Sequence, residues 1–343
     1  MTSRERVCRA LRFEGPDRPP RDLWTLEYAR MPERLEELER IRERFPMDFQ
    51  DLPVKGGEAD RAEGEKGVVG SYVDLWGSRW EVAEQGVIGE VKQPALADWD
   101  EFGAYEAPWE WLETTDLSEV NPVYEKSQKF CIWRVSARPF ERIQFIRGPE
   151  NLYYDLATRP NDVRALLDLL HEFYMREIEM WKDHKADALW FMDDWGTQQG
   201  LLIAPDMWRE MFKPLYRDYV EAIHDQGKFA FFHSDGHIEA IYGDLIEIGL
   251  DAINSQLFCM DIEKLGEKYA GDVTFWGEID RQHLLPNASP EDVKRGVRRV
   301  RRALDTGRGG VIAQCEWGLR DPAENIEAVF KAWAEPHPDE DRR

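Results

Sequence analysis

The feature that most restricts what this chain can fold into is a recurring unit from about residue 125 onward. A short apolar run rich in β-branched and aromatic residues is followed by a polar junction and then by a segment of helical period. The runs are KFCIWRVS (129–136), DALWFMDD (187–194), KFAFFHSD (228–235), DAINSQL (251–257), VTFWGEID (273–280) and GGVIAQCEWG (309–318). Several of the helical segments end in Gly, and SPED (289–292) and DPAE (321–324) place a capping residue and a Pro at a helix start. Two further runs, DLWTLEYA (22–29) and DFQDLPV (48–54), bring the count to about eight. Eight such units in 343 residues specify an α/β fold of the TIM (β/α)8 barrel type, although a doubly wound sheet generates a similar alternation. An N-terminal helical segment precedes the first run. Residues of about 68–112, rich in Gly and Trp, break the rhythm and read as a β-hairpin insertion near the barrel mouth, either a lid or a plain structural hairpin. The whole of 1–343 reads as one domain.

Composition excludes some functions. A net charge of −23 argues against an extended nucleic-acid-binding face, which needs clustered Lys and Arg. The most basic stretch, DVKRGVRRVRRAL (292–304), alternates Arg with Val and Leu at helical spacing and reads as the solvated face of an amphipathic helix, with partner docking as the alternative. No stretch approaches the roughly 18 apolar residues of a membrane span, and the start is charged where a secretory signal needs an apolar core. A cytoplasmic protein is expected. The four cysteines, at 8, 131, 259 and 315, show no CxxC pairing and read as core thiols unless a site recruits one.

In a TIM barrel the chemistry sits at the C-terminal ends of the strands. Reading each run to its end collects Glu27 and Tyr28, Arg134 and Arg138, Asp193 and Asp194, His233, Asp235 and His237, Asn254 and Gln256, Glu278 and Asp280, and Cys315 and Glu316. His233 and Cys315, from the fifth and eighth strands, can project into one mouth and hold zinc together with Asp235; the alternative for the 233–237 segment is to cap the next helix. Asp193 and Asp194 either bond loop amides or do acid/base work, and Glu278 is a candidate buried carboxyl with a functional role. Trp76, Trp80, Trp195 and Trp317 fall near mouth loops, where a flat ligand could stack.

The segments SRERVCRALRFEGPDRPP, DALWFMDDWGTQQGLLIAPDMWREMFKPLYRDYVEAIHDQG and GGVIAQCEWGLRDPAENIEAVFKAW resemble the uroporphyrinogen decarboxylase superfamily, a TIM-barrel family, and the resemblance covers nearly the whole chain. Two branches separate on particular residues. True decarboxylases carry an Arg-rich RQAGR motif after the first strand; here WTLEYARMPE keeps Arg30 but has Glu27 where a positive charge is expected. They also carry GHG after the last strand, where this chain has CEWG, with Glu316 in place of the histidine. The zinc-dependent, corrinoid-linked methyltransferases have a His-x-Cys pattern after the fifth strand and a Cys after the eighth. This chain matches at His233 and Cys315 and has Asp235 in place of the first Cys.

The resemblance therefore implies zinc held by His233, Asp235 and Cys315. Glu278, Asp194 and Asp193 would be catalytic, and Glu27, Tyr28, Arg30, Trp195, Asn254, Gln256 and Glu316 would contact substrate. The implied reaction moves methyl between a small methylated substrate, methoxylated by preference, and a cobalamin (methylcobalamin) on a separate corrinoid protein. A homodimer is compatible with it. The competing readings are a porphyrin-pathway decarboxylase and a non-catalytic small-molecule-binding barrel.

Overall fold

The structure, a computed structural model, describes residues 1–25, 32–84 and 89–337. Among these residues the strands in chain order are β1 (Arg21–Thr25), β2 (Phe49–Asp51), β3 (Gly70–Val73), β4 (Arg79–Val82), β5 (Glu90–Gln93), β6 (Phe130–Arg134), β7 (Ala188–Met192), β8 (Phe229–Ser234), β9 (Ala252–Ser255), β10 (Thr274–Trp276) and β11 (Val311–Trp317). Eight of them form one sheet in the order β1-β11-β10-β9-β8-β7-β6-β2. All its recorded pairs are parallel, and helices connect the strands. The two ends of that order, β1 and β2, meet through the Asp48 amide, which donates to the Arg21 carbonyl at 2.9 Å. This is a nearly closed TIM barrel, and each of the eight sequence runs supplies one strand.

Side chains alternate across a strand, so each run divides between the barrel interior and the layer beneath the helices. The inner set is Phe130, Ile132, Ala188, Phe231, Ala252, Trp276 and Ile312, with Trp24, Phe49 and Trp190 packed against it. The outer set, including Leu23, Leu189, Phe191, Phe232, Ile253, Phe275, Ala313, Cys315 and Trp317, packs under the helices. The N-terminal helix Ser3–Leu11 closes the lower end. Thr2 caps it by accepting from the Glu5 amide at 3.1 Å, and its Val7 and Leu11 enter the inner cluster.

The expected hairpin is instead a three-stranded antiparallel sheet, β3-β4-β5. Asp74 organises its turn, accepting from the Trp76 and Ser78 amides at 3.0 and 2.9 Å and from Trp80 Nε1 at 3.1 Å. Trp80 lies on Phe145 and Trp76 on Phe173, with ring centroids 4.7 and 4.9 Å apart, so both indoles anchor the insertion to the barrel helices. The basic stretch is the helix Pro290–Leu304, capped by Ser289; its Arg298 and Arg299 pair with Glu335 and Glu263. No helix among the described residues is long and apolar enough to cross a membrane.

Candidate active site

The inward residues of β8 are Phe229, Phe231 and, at the rim, His233, which is 4% exposed. Its tautomer follows from its neighbours. Asn254, from β9, donates its amide to the Trp276 carbonyl, which can only accept, so Asn254 Oδ1 faces the imidazole and receives Nδ1–H at 2.6 Å. That leaves the Nε2 lone pair directed at two carboxylate oxygens, Asp235 Oδ1 at 3.5 Å and Asp194 Oδ1 at 3.7 Å. These separations are too long for good hydrogen bonds. Donors about 2.0–2.2 Å from a zinc ion at tetrahedral angles lie roughly 3.4 Å apart, close to the two separations from His233 Nε2. Asp235 Oδ1 is buried and has no hydrogen-bond partner, so the fold provides an unsatisfied oxygen where a cation would sit. Asp194, His233 and Asp235 offer three ligand atoms within 4.8 Å of one another. A histidine whose other ring nitrogen is fixed by an amide carbonyl is the usual arrangement for a metal ligand.

Backbone contact holds these groups in place. The loop after β7 lies against the loop after β8: the Gly196 amide donates to the Asp235 carbonyl at 3.1 Å, the His237 amide to the Thr197 carbonyl at 2.8 Å, and the Asp235 amide to Asp194 Oδ1 at 2.9 Å. The two chains touch at paired glycines. Gly236 has φ +81°, and a Cβ there would lie 2.1 Å from the Gly196 oxygen.

Asp235 divides its two oxygens. While Oδ1 faces His233, Oδ2 pairs with Arg281, whose guanidinium also lies 3.1 Å from Glu278 Oε1 and 2.9 Å from Glu316 Oε1. One cation thus bridges carboxylates from three strand ends. Burial, reinforced by Asp235, Glu316 and Asp280, outweighs Arg281 and pushes the Glu278 carboxyl well up, toward its protonated form. Beneath this cluster Asp22 accepts from the indoles of Trp276 and Trp24 at 2.8 and 3.0 Å, and burial raises its pKa to about 7. A cavity of about 840 Å³ opens into the barrel between β1 and β2, with Asp22, Trp24, Arg134, Trp190 and Glu316 among its lining.

The structure does not bring Cys315 to the metal-type group. In the parallel register Leu23 is level with Cys315 and Trp24 with Glu316. Glu316 faces the cavity; Cys315 does not line it and packs in the helix-facing layer, where burial pushes the thiol far up, away from thiolate. Asp194, from the acid pair, takes the third place instead. Asp193 points outward and accepts from the Phe140 and Glu141 amides, both at 2.8 Å, and from the Tyr216 hydroxyl at 2.6 Å, so it caps the helix Pro139–Arg147. Trp195 is fully buried, stacked on Phe140 at 4.2 Å and donating to Tyr216, and Trp317 is equally buried. Asn254 serves His233. Gln256 accepts from the Gly236 amide at 3.1 Å and from Gln198 at the rim. Glu27, Tyr28 and Arg30 lie outside the described residues. Sequence reading missed Arg281, whose signal was the need for a cation among carboxylates converging on one mouth, and the glycine pair, which had none.

A parallel barrel with a histidine–dicarboxylate group at the C-terminal end of its strands has the layout of a TIM-barrel enzyme. Residues 137–335, more than half of the chain, match the uroporphyrinogen decarboxylase (URO-D) family, and the chain belongs to that family. Among solved structures it is similar to a methyltransferase from Methanosarcina mazei, at 15% identity over 97% of this chain and 98% of that one, with a TM-score of 0.70. Weaker likenesses, to an endo-β-1,4-xylanase from Gloeophyllum trabeum (11% identity, 60% and 76% covered, TM-score 0.35) and to a β-1,4-mannanase (11%, 92% and 98%, 0.41), carry no weight for function. No curated protein matches the chain.

Proposed function

We propose that this protein is a zinc-dependent methyltransferase that takes methyl from a small methoxylated substrate and passes it to the cobalamin of a separate corrinoid protein. The observation that carries the reading is the Nε2 lone pair of His233 facing one oxygen each of Asp194 and Asp235, one of them orphaned, with the three ligand atoms within 4.8 Å of one another. The ligand set differs from the resemblance in using Asp194 rather than Cys315. One nitrogen and two oxygens make a harder site than one containing thiolate, suited to an oxygen-bearing substrate. When bound, zinc supplies Lewis acidity to the ether oxygen.

The chain's own residues do the rest. Asn254 fixes the imidazole, Arg281 anchors Asp235, and protonated Glu278 can deliver a proton to the departing oxygen. The indoles of Trp24 and Trp190 line the cavity beside His233, with Trp24 centred 5.3 Å from the imidazole, and shield the reacting group from water. Arg281 is shared by Asp235, Glu278 and Glu316, so it is not free to pair with the carboxylates of a polyanionic porphyrinogen.

The test is metal content of the purified protein and its variants by elemental mass spectrometry, with methyl transfer to a corrinoid protein assayed on the same samples. About one zinc per chain is expected. It should be lost in His233→Ala and Asp235→Ala and retained in Cys315→Ala. Absence of zinc from wild type, or its loss only in the cysteine variant, would overturn the reading.

A further inference from the structure

A second, smaller cavity touches the carboxylate cluster from another side. It measures about 40 Å³ and opens at the rim, where Gln256, Phe258 and Cys259 line it from the end of β9 and Glu278, Ile279 and Arg281 from the end of β10. Glu316 lines the larger cavity and Arg281 the smaller, and the two side chains pair at 2.9 Å, so this ion pair divides the two spaces. Arg281 has each of its three nitrogens on a carboxylate. Two of its neighbours still have bonding capacity to offer. Glu278 is 4% exposed, and what surface it keeps lies in the small cavity. Its Oε1 meets Arg281 at 3.1 Å, while Oε2 has no hydrogen-bond partner among the described residues. Gln256 commits its side-chain oxygen to the Gly236 amide and to Gln198, which leaves its own NH2 group without an acceptor among the described residues. A carboxyl that is nine-tenths buried and keeps an unpaired oxygen toward a cavity is the mark of a binding site, since burial without a partner is costly. The Cys259 thiol is a wall of that site and not a nucleophile: it donates to the Gln256 carbonyl at 3.0 Å, and burial raises its pKa to about 11.

We infer that this cavity receives the departing alcohol of the methyl donor, which restricts the donors to short aliphatic methyl ethers and excludes methoxylated aromatic rings. The inference rests on the reading of the His233 group as the reacting centre. Size is the first argument. At about 10–15 Å³ for each water-sized group, the space holds about three such groups, enough for a two-carbon alcohol. A phenyl ring needs roughly twice that room and enters only by displacing Phe258 or Cys259. Chemistry is the second. The Gln256 NH2 group donates to the alcohol oxygen, Glu278 Oε2 bonds the same oxygen from the buried side, and Phe258 and Ile279 cover the short carbon chain. In the transfer, the methyl C–O bond breaks and a Co–C bond forms from the electron pair of cobalt(I) on the partner's corrinoid. The C–O pair stays on oxygen, which takes the proton of the Glu278 carboxyl. The neutral alcohol leaves through the rim, and water returns a proton to Glu278. Displacement at carbon requires donor and acceptor in line on opposite faces of the methyl group. With the alcohol on the Arg281 side of the dividing ion pair, the larger cavity on the Glu316 side is left for the acceptor.

The experiment is saturation-transfer NMR on the purified protein with ethanol, alone and in competition with phenol. Ethanol should receive saturation from the protein, and an equal concentration of phenol should leave its signal unchanged. Cys259→Phe fills the cavity and should weaken ethanol binding about 10-fold or more. Phe258→Ala widens it and should let phenol displace ethanol. If Cys259→Phe fails to fold by circular dichroism, Phe258→Ala decides. Ethanol could also bind at the metal group, so the titration is repeated in His233→Ala. Binding retained there and lost in Cys259→Phe supports the assignment whatever the zinc content proves to be, and the metal assay judges the methyltransferase reading separately. Displacement by phenol in wild type, ethanol binding that ignores Cys259→Phe or vanishes in His233→Ala, or no ethanol binding at all would overturn it.

Discussion

Truncating Asn254 to Ala probes the geometry on which the metal group depends. Asn254 is 1% exposed and makes two bonds: it accepts from His233 Nδ1 at 2.6 Å and donates to the Trp276 carbonyl. Alanine leaves that N–H and that C=O buried and unpaired. Each orphan costs about 1–3 kcal/mol, and a water entering the vacated space recovers part, so a net loss of about 3 kcal/mol is expected in urea unfolding. With nothing to hold the ring, the imidazole is free to change tautomer or rotate, and zinc affinity should fall about 10- to 100-fold in competition against a chromophoric chelator. Asn254→Asp separates the two effects. Its carboxylate still accepts Nδ1–H but cannot donate to the Trp276 carbonyl, so stability should still drop while zinc affinity is held. Zinc affinity within about twofold of wild type in the alanine variant, or equal loss in both, would refute the tautomer reasoning.

Asp22 makes stability depend on pH. Its carboxyl ionises near 3.8 when unfolded and near 7 when folded, so the folded state holds the extra proton between those values and stability falls as pH rises through that window. At about 1.4 kcal/mol per pH unit the upper bound is about 4 kcal/mol. Asn accepts the same two indole N–H groups and cannot titrate, so Asp22→Asn should be more stable than wild type at pH 8 and show a shallower decline in melting temperature from pH 4 to 7. Glu177, also raised to about 7 by burial, preserves part of the slope. A variant profile parallel to wild type would contradict this. Gly236→Ala would put a Cβ 2.1 Å from the Gly196 oxygen at φ +81°, so a loss above about 3 kcal/mol in denaturant unfolding is expected, together with loss of zinc as Asp194 and Asp235 are forced apart. Wild-type stability with full zinc would show that the two loops are not locked.

Much of the barrel could be read from the chain because its information is local. Apolar runs of strand length, glycine stops and Ser or Asp-Pro starts mark βα units wherever they occur, and all eight runs became barrel strands. The same local reading singled out His233, Asp235, Asp194 and Glu278, which the structure brings together at one end of the barrel, because polar groups at the ends of buried strands have no structural need to be there. It could not choose between adjacent residues on a strand buried on both faces. On β11, Cys315 and Glu316 are one residue apart, and only the pairing with β1 sends the carboxylate inward and the thiol outward. On the loop after β7, the same parity turns Asp193 into a helix cap and leaves Asp194 in the mouth. Which carboxylates share Arg281 depends on residues far apart in the chain, so it is decided only when the sheet closes. The sequence by itself determined the units and the supply of chemistry at their ends; tertiary structure decided which of those groups meet, since strand register and barrel closure are properties of the whole sheet.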